Sequence, residues 1–105
     1  MKFLRIEIVT KTDRQQALSQ INDVISANEG WISNHQLFSN MAAAISFEMP
    51  VEYVENFLLG LKEIGFNPKP QDEIPETGSG DIRGSISVTF LHDEPDLKRD
   101  VPAFG

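Results

Sequence analysis

Two histidines, His35 and His92, are the only imidazoles in the chain, and there is no cysteine. Disulfides, thiolate metal sites and cysteine nucleophiles are therefore excluded. An imidazole beside a carboxylate can hold a divalent metal. Here Asn34 precedes His35, while Asp93-Glu94 follows His92 far along the chain. That spacing makes no local ligand set, so no metal is expected, and His35 reads as an exposed or interface residue. Glu52 and Glu55 lie three apart on the wet side of a predicted helix, and paired carboxylates need a cleft before they act as acid and base. Gly78-Ser79-Gly80 resembles part of a phosphate loop. A strand follows it where a helix N-terminus would be required, so it reads as a linker. No serine-nucleophile signature is present. The chain is read as non-enzymatic, with no cofactor and no catalytic residue assigned.

The richest local feature is the turn Lys11-Thr12-Asp13-Arg14. It gathers positive charge beside the start of a predicted helix, whose first N–H groups favour anions. A small carboxylate-bearing ligand is expected to touch Lys11, Thr12, Asp13 and Arg14, joined by Asn34 and His35 if the second strand lies close.

Charge narrows the partners further. The 105 residues carry a net charge of −7, and no Lys or Arg occurs from Gln15 to Leu61. Such a chain repels phosphate backbones and anionic lipid, so neither nucleic acid nor membrane is an expected partner. A basic protein would instead be drawn in. Charges interrupt the apolar residues of Met1 to Glu7, so no signal-peptide core forms. No apolar run reaches membrane-helix length. The location expected is cytoplasmic.

The elements that must position these residues follow from periodicity. Phe3 to Thr10 alternates, with Leu4, Ile6 and Ile8 on one side, and predicts a strand. Asp13 suits an N-cap, and Ala17, Leu18, Ile21, Val24 and Ile25 form the stripe of a helix over 14–28. Gly30 is placed to end it in a left-handed conformation. Trp31–Phe38 and Met41–Met49 read as strands joined by a tight turn at Ser39-Asn40. Pairing through that turn puts Asn34 and Gln36 on the core face, an arrangement that a longer loop or a β-bulge would relieve. Pro50 fits the first turn of a second helix bearing Val54, Phe57, Leu58, Leu61 and Ile64, with Gly65 as its cap. Residues 67–81, rich in proline, glycine and acids, read as a long flexible loop. Ile82 to Leu91 alternates as a last strand, and 93–105 is an acidic tail.

One domain over 1–92 results, in the order strand, helix, strand, strand, helix, strand. The fold expected is α+β and ferredoxin-like βαββαβ: a four-stranded antiparallel sheet with two helices on one face. The other face would then show Trp31, His35, Leu37, Ala42 and Ala44, small or apolar residues that would serve as a homodimer interface.

Leu4-Arg5-Ile6-Glu7-Ile8-Val9-Thr10 before a helix, and Ala44-Ile45-Ser46-Phe47-Glu48-Met49 leading into Val54 to Gly65, resemble the pattern of ACT-like regulatory domains over residues 3–66. In that family the turn after the first strand commonly carries a glycine, where this chain has Lys11 to Arg14. The resemblance implies a small dimeric module that regulates by binding a ligand or a protein. Two other readings accompany it. One is an acidic inhibitor or immunity-type module steered to a basic partner. The other is a small dimeric αβ-barrel enzyme with a pocket near Trp31, His35 and Leu37.

Overall fold

A computed structural model describes residues 3–39, 41–74 and 80–91. His92, the glycine-serine pair Gly78-Ser79 and the tail 93–105 lie outside them. Strand β1 (Phe3–Thr10) leads into helix α1 (Arg14–Ala27). Strands β2 (Trp31–Ser39) and β3 (Ala42–Pro50) form a hairpin. One 3-10 turn (Val51–Tyr53) precedes helix α2 (Val54–Glu63), followed by a two-residue strand β4 (Lys69–Pro70) and the long strand β5 (Asp81–Phe90).

The sheet corrects the expected ferredoxin-like arrangement. It has five strands, in the order β2-β3-β5-β1-β4, and it is mixed rather than a four-stranded antiparallel sheet. β1 and β5 run parallel, from Phe3 opposite Arg83 to Thr10 opposite Phe90, while β5 runs antiparallel to β3. The last strand thus enters the middle of the sheet. Alternation reports which face of a strand is buried but not which strands flank it, so the order was open to either solution. One residue in β5 bears on it. A Cβ on Gly84 would lie 2.2 Å from the Phe47 ring, so glycine is what lets β3 and β5 lie side by side with Phe47 folded across.

Both helices pack on one face. Leu4, Ile6 and Ile8 of β1, Ile45, Phe47 and Met49 of β3, and Ile82, Ile86, Val88 and Phe90 of β5 form one cluster with Ile21 and Ile25 of α1 and Phe57 and Leu61 of α2. Phe47 and Phe57 meet with ring centroids 5.3 Å apart, a tilted contact that ties the sheet to α2. No described helix is long and apolar enough to cross a membrane.

Three local expectations change. α1 ends in a Schellman motif: Gly30 N donates to Ile25 O (2.9 Å) and Glu29 N to Ser26 O (3.2 Å). The left-handed residue is Glu29, at φ 65°, and not Gly30. Gly30 answers a different need, since a Cβ there would sit 2.8 Å from the carbonyl oxygen of Glu48. Pro50 closes β3 opposite Asp81 and so stands outside α2. The segment read as a long flexible loop is anchored through its first half. Pro68 is buried, Lys69–Pro70 pair with β1, and Ile74 packs on the core.

Candidate functional site

The Lys11–Arg14 turn sits where β1 hands over to α1. Thr12 N and the Thr10 hydroxyl both engage at 3.0 Å, the hydroxyl of Thr10 accepting from the amide and bonding the Thr12 hydroxyl. Lys11, Thr12, Asp13, Arg14 and Gln15 line an open hollow of about 320 Å³ with Phe90 and Leu91. The helix N-terminus in this hollow is already served. Asp13 caps it, its Oδ2 accepting from Gln15 N (3.1 Å) and Gln16 N (3.3 Å). A carboxylate of the chain itself therefore holds the place an anionic ligand would take.

Asn34 and His35 do not join this turn. Asn34 lies in the cross-strand row Arg5, Ser85, Ser46, Asn34, three strand spacings from β1, or roughly 14 Å. Lys11 lies six residues beyond Arg5 along the strand direction, roughly a further 20 Å. The six residues expected around one ligand thus form two separate groups.

The expected interface is divided as well, and by bulges. Ile32 pairs with Phe47 and Asn34 with Ser46, leaving Ser33 as an extra residue; Phe38 is a second one, between Leu37 and Ser39. Each bulge reverses the inward and outward alternation that follows it. Trp31, Asn34 and Gln36 therefore accompany Glu48, Ser46 and Ala44 on the sheet face away from the helices, while His35 and Leu37 accompany Ile45 and Ala43 on the helix side. Of the expected interface, Trp31, Ala42 and Ala44 share the open face, and His35 and Leu37 stand on the opposite one. There His35 borders a largely apolar cleft of about 380 Å³ with Leu18, Ser19 and Asn22 of α1 and Ile32 and Ile45 of the sheet. Glu52 and Glu55 are exposed, and no group of three or more metal-ligating side chains occurs among the described residues.

The two edges of the sheet are built in contrasting ways. At the β1 edge, Gln71 N donates to Arg5 O (2.7 Å) and Arg5 N donates to Asp72 Oδ2 (2.9 Å). The Arg5 guanidinium returns to the same carboxylate, its Nη2 lying 2.9 Å from Oδ1. Hydrogen bonding from Arg5 side chain and backbone holds the Asp72 carboxyl below its ordinary range. This edge is thus covered from Arg5 to Glu7, and the covering strand carries Pro70, which cannot donate to a further strand.

The β2 edge has none of these protections. Among the described residues, β3 is its only neighbour. Its nine residues are exposed apart from the half-buried Ile32. Trp31, Leu37 and Phe38 are 48%, 50% and 65% exposed, and Met41 at the hairpin tip is 51% exposed. No Asp, Glu, Lys or Arg occurs from Gly30 through Phe47. An edge strand normally carries a charge, a proline or a cover against another strand. Among the described residues, two bulges are the only such device over β2. Sequence reasoning singled out the missing bases of 15–61 but not this shorter stretch lacking either sign of charge, which was the available signal. No family model, curated protein or solved structure matches the chain.

Proposed function

We propose that this chain is a small non-enzymatic binding module that docks a protein strand along β2. The observation that carries the reading is the contrast between the two sheet edges: one is clipped at Arg5 to Glu7 by residues 69–72, while the other is long, lacks Asp, Glu, Lys and Arg, and is lined with exposed apolar side chains. Strand addition uses the unpaired backbone groups of an edge for affinity and alternate side chains for specificity. Here Trp31 offers a ring on the open face, and Leu37 and Phe38 offer apolar contacts near the hairpin tip. Aromatic residues at such positions are the usual anchors of protein interfaces. The Lys11–Arg14 turn supports a ligand site less well, because Asp13 already serves its helix N-terminus.

The test is a selection of short random peptides against the immobilised chain, with the binding position of the winners mapped by backbone amide shifts. The reading predicts peptides of alternating apolar residues whose shifts centre on residues 31–39. Winners that shift the Lys11–Gln15 turn or the cleft between α1 and the sheet, leaving the outward amides of β2 unmoved, would overturn it.

A further inference from the structure

We infer that the occupant of the β2 edge is the β2 edge of a second copy of this chain, the two strands running antiparallel about a two-fold axis. The inference rests on the strand-docking reading above and names its partner. Charge selects that partner. Each copy carries −7, so two copies repel wherever their acids approach. The stretch from Gly30 through Phe47 is where two copies can touch with no Asp, Glu, Lys or Arg at the contact. A basic partner would be drawn to the acidic surfaces elsewhere, and at this edge it would find no carboxylate to pair with. A neutral strand with apolar residues at both ends and polar ones between is what the edge matches in antiparallel pairing, and its own sequence, Trp31-Ile32 and Leu37-Phe38 about Ser33 to Gln36, is such a strand.

Geometry fixes the register to two choices. A two-fold axis normal to the sheet keeps both pairs of helices on one side and makes one residue pair with itself. Between the bulges at Ser33 and Phe38, β2 alternates without interruption from Asn34 to Leu37. The central residues of that stretch are His35 and Gln36. With the axis at Gln36, that residue faces its own copy on the open face and His35 faces Leu37 of the second copy. With the axis at His35, the two imidazoles face each other on the helix side. Either register joins the two sheets into one continuous sheet in which neither β2 is an edge.

The absence of native cysteine makes the test direct. His35→Cys and Gln36→Cys each introduce a single thiol, and Thr89→Cys supplies a control thiol on the open face of β5. Self-paired residues on antiparallel strands have Cα atoms about 4.5–5.5 Å apart, within the span of a disulfide. Under mild oxidation one of the two β2 variants is expected to form a covalent dimer readily while Thr89→Cys stays monomeric. In parallel, light scattering of the unmodified chain across concentrations is expected to show a dimer. Gln36→Lys, which sets like charges near the axis, is expected to raise its dissociation constant by at least about tenfold with thermal melting of the dilute monomer unchanged. Dimerisation with preferential cross-linking through Thr89→Cys overturns the inference in favour of the open face. A monomer at every concentration also overturns it, while peptide selection on β2 would still decide the strand-docking reading independently.

Discussion

At the scale of single residues, the backbone makes two demands that different side chains meet. Glu29 occupies the left-handed position that ends α1, where a Cβ is disfavoured. Glu29→Gly is expected to raise stability by about 0.5–1 kcal/mol, read as a higher denaturation midpoint with unchanged slope. Gly84 meets the opposite demand, that of space. Gly84→Ala would drive a methyl group into the Phe47 ring and is expected to cost about 2–3 kcal/mol. Adding Phe47→Leu should recover part of that loss. A double-mutant cycle showing no coupling between the two would contradict the placement of β5 against β3. A third residue joins the helices. Asn28 is buried, donates from Nδ2 to Val24 O (2.8 Å) and accepts at Oδ1 from Asn56 Nδ2 (2.8 Å). Asn28→Ala removes both bonds and is expected to destabilise by about 1–3 kcal/mol in chemical denaturation.

At the scale of elements, the 69–72 clip on β1 responds to acid. The Asp72 carboxyl is lowered in the folded chain, first by the hydrogen bond from the Arg5 side chain and then by that from its backbone. A depressed acid contributes fully above its unfolded value, and the contribution is lost as pH falls through the lower folded value. The Arg5 amide resonance is therefore expected to hold steady from neutral pH through the ordinary carboxylate range and to move only below it. Titration of that resonance within the ordinary range would show that the clip is not formed in solution. Asp72→Asn should abolish the late step and leave β2 untouched.

The elements themselves were legible in the sequence to varying degrees. β1, α1, β3 and β5 could be read because each shows a single uninterrupted period and a core face that matches it. β2 was harder, since Asn34 and Gln36 fall on the wrong face if alternation continues from Ile32. Either a longer loop or a bulge would relieve this, and periodicity does not place the bulge, which the pairing puts at Ser33. β4 left no trace, because two residues in a proline-rich segment carry no period; what places them is pairing with Ile6 and Glu7 of a strand more than sixty residues earlier.

For the whole molecule, sheet order is what periodicity could not supply. The same six alternating and helical segments satisfy both a ferredoxin-like sheet and the observed β2-β3-β5-β1-β4 order. The difference reaches function. β2 stands at an edge beside β3 in both orders, whereas β1 loses the last strand from its outer side and receives the 69–72 clip there. The expected ligand group then divides, because the Lys11 turn and Asn34 lie on strands with two others between them. The interface group divides at the same bulge that corrects β2. What was legible of the site was the small and apolar side chains at Trp31, Leu37 and Ala42, not the lack of charge that runs from Gly30 through Phe47.

The measurement that bears most directly on docking at β2 is residue-resolved amide hydrogen exchange at low and at high protein concentration. Pairing of the edge slows exchange at amides that point away from β3, so rising concentration is expected to bring new protection within Trp31–Ser39 and leave the β1 clip unchanged. Concentration-dependent protection confined to other elements, or exchange in β2 that is identical at both concentrations and with selected strand peptides added, would contradict the account.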